Sequence, residues 1–447
     1  MSVIATQVSI GDMVPDKAPV MPPTPSKAMS IPYHEPLLLG PELTHIRTAS
    51  RRPGLQGGGE FSRQVTEWLQ RGTENSQVFL TTSCTRALEM AALLCDLQPG
   101  DEVIAPSYTF VSSVNAFLLR GVHIVFVDID QDTMNLDHRL IEGAITDRTR
   151  VIVPVHYAGI GCDMNAIMDI ARRHNLLVVE DAAQCPMTTY KGRPLGSIGH
   201  IGCMSFHATK NFTAGGQGGA VFVNDPSLFE QADIVYDNGT NRRAFFRGEI
   251  PGYEWKSLGS NFVMPEPQAA YLWAQLDQAD HVTNRRLAIW HTYHRELQSL
   301  VRSGDLELMS VPPGRAHNAH IFFIKLADKA QRSALANFLK ERGISTATHF
   351  VPLHDRAIAK QLGCRFHGED RFTTRESLRL TRLPLFYSQT DEEVQHVIRS
   401  VLSFFEKIED PNGVQNESES SKGNCNENGT VNGDANGHAN GNTSCNT

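Results

Sequence analysis

Long apolar runs are missing from the 447-residue sequence. The best are strand-length pieces such as HIVFVDI, far short of the roughly 20 residues that span a bilayer, so no membrane-spanning helix is expected. Cysteine pairing motifs are missing too. The cysteines at 84, 95, 162, 185, 203, 364, 425 and 445 include no CxxC, and the one CxxH, Cys364 with His367, has no second pair beside it. That argues against a zinc site or a disulfide scaffold. Positive charge is not in excess either. Forty-one Lys and Arg face 49 Asp and Glu, a net charge of -8, which points away from nucleic acid or an anionic membrane as partner. The first residues carry Asp12, Asp16 and several prolines where a secretory signal would need a basic start and an apolar core. The expectation is a soluble, cytoplasmic protein without a metal.

What is present is an alternation. Between a Pro-rich start and the Asn/Gly-rich tail NGTVNGDANGHANGNTSCNT, short apolar runs alternate with amphipathic, helix-length segments. QVFLTT, EVIAP, HIVFVDI, VIVPV and LLVVED read as strands, and this order predicts an α/β fold with a mostly parallel sheet. A long helical pattern follows Pro267 and leads to a smaller α+β segment with IFFIKL, a helix at 330–341 and STATHF. The division that follows is a disordered start at 1–30, a large domain at 31–285, a small C-terminal domain at 286–408 and a disordered tail at 409–447. The N-x-S/T matches at Asn416, Asn428 and Asn442 fall in that tail and read as products of its composition.

In open α/β sheets, ligands gather at the carboxyl ends of the parallel strands, so polar residues just after an apolar run are the candidates. Four places qualify. In TTSCTRALEM a strand gives way to a helix near Thr85, and the free N–H groups there suit a phosphate held by Ser83, Cys84 and Thr85. The plain alternative is an N-cap at Ser83 or Thr85. In LLVVEDAAQ, Glu180 and Asp181 close a fully apolar strand, where a buried carboxylate needs a cation. The protonated pyridine nitrogen of pyridoxal phosphate would be one, and a structural ion pair or helix cap at Asp181 is the alternative. In SFHATKNFTAGGQGG, Lys210 follows a strand end and precedes four glycines that let backbone pass close to a ligand. A Schiff-base lysine needs such a partly desolvated place, though most lysines are simply solvated. Ser205 and His207 just before it are further phosphate candidates, with a core histidine the alternative for His207. In APSYTFVSS, Phe110 is placed to stack on a flat ring or to join the core.

SCTRAL, PSYTF, EDAAQ and SFHATKN…GGQGG, in this order and spacing, resemble the DegT/DnrJ/EryC1/StrS family of pyridoxal-phosphate-dependent sugar aminotransferases, over about residues 31–405. ALEMAALL, QPGDEV, RVIVPVHYAG, FHGEDR and LPLFY look like the branch that aminates dTDP-4-dehydro-6-deoxyglucose. The resemblance implies the type I aminotransferase fold and a homodimer with shared active sites. It also implies roles: Lys210 as Schiff-base lysine, Asp181 as partner of the pyridine nitrogen, Gln184 at the ring hydroxyl and Phe110 stacked on the ring. Cys84, Thr85 and Ser205 would hold the phosphate, joined by Asn261 of GSNFVM from the neighbouring subunit. Tyr33, His156, His349 and His354 would line the face for the nucleotide sugar, and L-glutamate would be the donor.

The sequence departs from the family's pattern at three positions. Gln217 stands where the glycine loop usually has glutamate, His34 where asparagine is expected, and Asn238 where lysine is common. These leave another keto sugar or a cyclic ketone as alternative acceptors. A dehydratase of the same fold would carry histidine in place of Lys210, and a non-catalytic regulator would carry an added binding domain for which the first 30 residues are too short.

Overall fold

The computed structural model describes residues 29–409 apart from 75. The segments 1–28 and 410–447, which hold nearly all of the expected disordered ends and the three N-x-S/T matches, lie outside the described residues. The chain divides after Leu402 into a large compact unit and a short C-terminal one, the latter described only over 403–409 at the end of the helix Asp391–Glu409.

Five strands come first: β1 (Gln77–Thr81), β2 (Glu102–Pro106), β3 (His123–Val127), β4 (Thr149–Ile152) and β5 (Leu177–Asp181). A short hairpin of β6 (Thr189–Tyr190) and β7 (Arg193–Pro194) leads to β8 (Ile201–Ser205) and β9 (Gly219–Val223). Later come β10 (Glu307–Leu308), β11 (Arg315–Ala316), β12 (Phe322–Lys325), β13 (Arg365–Phe366) and β14 (Leu380–Leu383). The main sheet has eight strands in the order β1-β9-β8-β5-β4-β2-β3-β13. From β8 to β13 every neighbour is parallel, and β9 alone runs the other way, paired antiparallel to both β1 and β8.

Each central strand is apolar on both faces because both faces are covered. In β3, Ile124 and Phe126 join a core under the helices Cys84–Leu94 and Ser112–Leu118, while Val125 and Val127 join another under the helix Met164–His174. Met204, Phe222 and Ala220 of β8 and β9 pack with Phe61, Val65 and Leu272 from the helices Glu60–Gln70 and Glu266–Leu276. Burying a Val, Ile or Phe side chain in this way contributes roughly 1.5–3 kcal/mol each. Local signals set the helix ends. Asp163 caps Met164–His174 by accepting from Ala166 N, and Asn175 ends it in the left-handed region at φ 53°.

β10, β12 and β14 form a small antiparallel sheet beside the helix Lys329–Glu341. The helical pattern after Pro267 is divided at Asp277 and Gln278 into Glu266–Leu276 and Ala279–Glu296, and position 285 falls inside the second of these. β13, from within 286–408, adds a parallel edge to β3 of the main sheet.

Candidate functional site

The carboxyl ends of β1, β2, β5 and β8 open onto a cavity of about 460 Å³, in the usual range for a small-molecule site. Asp181, the last residue of β5, is buried at its floor. Its Oδ2 accepts from Ser113 Oγ at 2.6 Å and its Oδ1 from Ala183 N at 3.1 Å. The Ser113 hydroxyl is in turn 2.7 Å from Thr109 Oγ1, so with Ser113 donating to Asp181, Thr109 donates to Ser113. The preceding Glu180 is a different kind of carboxylate. It is fully buried and accepts from Gly196 N, Ile198 N and Gly199 N at 3.0, 2.7 and 2.6 Å, which fixes the loop after β7.

Lys210 lines the same cavity, its backbone N–H donating to His207 O at 2.9 Å, and among the described residues its side-chain amine makes no hydrogen bond or ion pair. Burial pulls its pKa below the ordinary lysine value, against the pull of Cys84, Asp181 and Cys185 and with the help of Arg382. The turn between β1 and the helix Cys84–Leu94 forms one wall. Ser83 Oγ caps that helix by accepting from Arg86 N at 3.1 Å, leaving the N–H groups of its first turn directed at the cavity mouth. β9 reaches this turn only because position 219 is glycine: a Cβ there would lie 2.5 Å from the Ser83 carbonyl carbon and 2.6 Å from Cys84 N. Thr85 and Ser205 line the cavity beside it, and Ser205 Oγ accepts from His207 N at 3.3 Å. Gln184 is buried, its Oε1 held by Ala158 N at 2.7 Å, so its amide NH2 is the end left for a ligand. Phe110 is 57% exposed at the rim, an apolar ring without a core to fill.

These groups fit pyridoxal phosphate. An unpartnered amine, a buried carboxylate in the same cavity, a flat ring, an amide donor and a helix N-terminus match its aldehyde, pyridine nitrogen, ring face, hydroxyl and phosphate in kind and number.

The remaining expected residues fall in different places. Tyr33 and His349 line the cavity. His349 Nδ1 is 2.7 Å from the Tyr157 hydroxyl and its ring stacks on Phe350, and burial holds its pKa well below the ordinary histidine value. His207 lines it too, with Nδ1 accepting from Thr209 N at 3.2 Å and its pKa lowered by burial and Lys210. His156 touches the cavity but is fully buried, and both ring nitrogens are taken: Nδ1 accepts from Cys162 N at 3.1 Å and Nε2 donates to Glu180 Oε2 at 2.8 Å. His354 is outside the lining, between Ser107 Oγ at 2.7 Å and Asp370 Oδ2 at 3.2 Å. Asn261 is exposed and outside the lining as well. Of the departures, His34 and Gln217 line the cavity, and Asn238 does not.

Among the lining residues that the sequence did not single out, Ser113, His320 and Arg382 carry groups of chemical consequence. Ser113 was within the SYTFVSS run but gave no sign of its bond to Asp181. His320 and Arg382 arrive from the later strands, His320 just before β12 and Arg382 on β14. Among the described residues no group of three or more His, Cys, Asp or Glu could hold a metal, and no helix is long and apolar enough to cross a membrane.

Comparison with known proteins agrees with this geometry. A model of the DegT/DnrJ/EryC1/StrS aminotransferase family matches residues 42–402. The chain is 34% identical over 381 residues to the spore coat polysaccharide biosynthesis protein SpsC of Bacillus subtilis (strain 168), covering 83% of this chain and 96% of that one. The aminotransferase TlmJ from Streptoalloteichus hindustanus shares the fold at a TM-score of 0.76 and 27% identity, over 85% of this chain and 100% of that one. Spr1654 from Streptococcus pneumoniae in its PLP-form does so at 0.75 and 25%, over 85% of this chain and 100% of that one. The architecture is the type I aminotransferase fold. A family match that runs from the first described helix into the last, on a site built around an unpartnered lysine amine and a buried aspartate, leaves one reading: the chain belongs to the DegT/DnrJ/EryC1/StrS aminotransferase family, with pyridoxal phosphate as its cofactor.

Proposed function

We propose that this protein moves an amino group from L-glutamate to the C4 ketone of dTDP-4-dehydro-6-deoxy-D-glucose, giving a dTDP-4-amino-4,6-dideoxyhexose. The observation that carries the reading is Lys210, an amine with a lowered pKa and no partner, in one cavity with the buried Asp181. When bound, the cofactor supplies an electron sink that stabilises negative charge at the carbon bearing the amine. Lys210 provides the base that takes and returns the proton at the donor's α-carbon, and burial, which lowers its pKa, favours the neutral amine that this task needs. Asp181, fixed by Ser113 and Ala183, is the partner that keeps the pyridine nitrogen protonated. Gln184 takes the ring hydroxyl, Phe110 covers the ring, and Cys84, Thr85 and Ser205 hold the phosphate. His207 stands beside them.

Tyr33 and His349 face the sugar nucleotide in this reading. His156 serves it from behind, by holding Glu180 and so the loop at 196–199. The name of the Bacillus subtilis relative, a spore coat polysaccharide biosynthesis protein, supports a sugar acceptor. A homodimer is part of the proposal. Phe246, Tyr253, Trp255 and Leu258 are 73, 53, 76 and 64% exposed in the stretch that leads to Asn261, an apolar surface suited to a second copy that would present Asn261 to its neighbour's site. The six described cysteines are free thiols, which suits the cytoplasm. The alternative is the same chemistry on another keto sugar or a cyclic ketone, favoured by His34 and Gln217 in the cavity wall.

The test is purified protein with pyridoxal phosphate, glutamate and dTDP-4-dehydro-6-deoxyglucose, following 2-oxoglutarate and identifying the sugar by mass. A dTDP-amino-dideoxyhexose is the expected product. Release of 2-oxoglutarate in a single turnover, with the sugar unchanged, would move the acceptor to the alternative. Lys210→Ala is expected to abolish the cofactor's absorbance band and turnover together, and retained turnover would overturn the assignment.

A further inference from the structure

The turn that leads into β12 is built at a cost to its own stability. Ala319 is held in the left-handed region at φ 49°, where a side chain is strained. Arg286 fixes the turn by donating from Nε to Ala319 O at 3.2 Å and from Nη2 to His320 O at 2.8 Å. Asn318, just before Ala319, is completely buried, and among the described residues its Oδ1 has no partner. A buried acceptor left unmade is destabilising, so an asparagine kept here needs a reason.

The other end of the amide supplies one. Asn318 Nδ2 donates to Gln184 O at 2.9 Å and to Pro186 O at 2.8 Å. Two carbonyls call for two N–H groups on one atom, which asparagine has at this length and aspartate, serine or threonine lacks. The side chain fits only because position 159 is glycine: a Cβ there would lie 2.5 Å from Asn318 Oδ1 and 3.1 Å from Gln184 O. Ala158, itself at φ 57°, donates its N–H to Gln184 Oε1 at 2.7 Å. Gln184 is therefore gripped at its backbone by Asn318 and at its side chain by Ala158. The turn at 318–320 also reaches the residue after Lys210. Asn211 is buried, its Nδ2 donating to Asn318 O at 2.9 Å and its Oδ1 accepting from His320 Nδ1 at 2.9 Å.

We propose that Asn318 is a positioning residue, which acts from outside the cavity to set the Gln184 amide in register with the Lys210 amine. This rests on the reading above, in which Gln184 takes the cofactor's ring hydroxyl and Lys210 its aldehyde. Those two groups sit on neighbouring ring carbons, so with the cofactor bound the ring oxygen and the lysine nitrogen share a proton. A donor fixed on that oxygen draws charge from it and lowers the pH at which the nitrogen gives the proton up. The Asn318 side chain bonds nothing in its own turn. Its two contacts go to the segment that carries Gln184, and its backbone carbonyl goes to the neighbour of Lys210. One turn thus holds both groups that meet at the reacting edge of the ring, and small errors in such a register are felt strongly.

The experiment follows the cofactor's absorbance against pH in protein loaded with pyridoxal phosphate. It compares wild type, Asn318→Ala, Gln184→Ala, the double variant, and Leu335→Ala, whose side chain is buried in the helix Lys329–Glu341 outside the cavity lining. Asn318→Ala is expected to raise the midpoint by roughly 0.4–1 pH unit, the change that losing one hydrogen bond would bring. Gln184→Ala should raise it at least as far, and the double variant no further, because Asn318 acts through Gln184. Leu335→Ala should lower Tm and leave the midpoint at the wild-type value. Asn318→Ser, whose hydroxyl can donate to only one of the two carbonyls, carries the test if the alanine variant does not fold, and a smaller rise is expected of it. A wild-type midpoint in the folded Asn318 variant would overturn the proposal. So would shifts that simply add in the double variant, or a rise in Leu335→Ala as large as that in Asn318→Ala. If Gln184→Ala itself left the midpoint unmoved, the ring hydroxyl would not belong to Gln184, and that reading would fall and take this inference with it.

Discussion

Asp181 shows how much one residue's role depends on groups that sequence does not display. Its place after an apolar strand marks it as a buried carboxylate needing a partner, and Lys210 is marked in the same way by the strand before it and the glycines after it. What the linear order hides is Ser113, 68 positions away, whose hydroxyl stands 2.6 Å from Oδ2 and is itself backed by Thr109. Ser113→Ala removes one charge-assisted hydrogen bond, worth about 1.5–3 kcal/mol, while Ala183 N still holds the other oxygen. The expected result is a protein that binds pyridoxal phosphate with its usual absorbance but turns over at least tenfold more slowly, with Ser113→Thr restoring most of the rate. A wild-type rate in the alanine variant would make Ser113 a bystander. His156 carries the converse lesson: residue type and position suggest a ligand, yet Cys162 and Glu180 occupy both of its nitrogens.

At the scale of elements, the strands were legible because burial on both faces forces continuous apolar runs, and β1 to β5 lie where QVFLTT, EVIAP, HIVFVDI, VIVPV and LLVVED predict them. β13 was not legible. Two residues, Arg365 and Phe366, carry no periodicity, and they become a strand only by pairing with Val125 and Phe126 of β3. The long helix after Pro267 was read as one because its apolar spacing continues across Asp277, where the chain nonetheless turns. β9 offers a direct test of how elements build the site. Gly219→Ala would push its Cβ to 2.5 Å from the Ser83 carbonyl carbon, so either β9 or the first turn of Cys84–Leu94 must move. Overpacking of this kind costs about 1–3 kcal/mol, and the expected outcome is a lower Tm together with weaker retention of pyridoxal phosphate. Gly252→Ala, with nothing within 4 Å of the new carbon, is the control and should change neither. If Gly219→Ala kept wild-type cofactor affinity, the turn it presses on would not be the phosphate site.

Across the whole molecule the histidines tie stability to pH. His34, His200, His207, His294, His317, His320 and His349 all have pKa values lowered in the fold, burial being the largest cause for each, and His317 falls to about 4. The unfolded chain takes up protons on these rings near pH 6.5, whereas the folded one resists until lower pH. Between those limits the unfolded state binds more protons, so stability rises with pH and the folded form loses ground as pH falls from about 6.5 toward 4. Paired carboxylates such as Glu180 and Glu307, whose pKa values are lowered, extend the same loss into more acid conditions. Thermal denaturation between pH 7.5 and 4.5 should therefore show Tm falling steadily below about 6.5, well before carboxylates titrate. His317→Phe tests the source. Its ring packs against Trp290 at 4.5 Å and its Nδ1 accepts from Ala319 N at 3.2 Å, so phenylalanine keeps the aromatic contact but removes that acceptor along with the proton site; Tm should drop at pH 7.5 and the slope of Tm against pH should become shallower. A Tm that stays flat from pH 6.5 to 5, or a His317→Phe slope equal to that of wild type, would show that these buried rings are not what acid acts on.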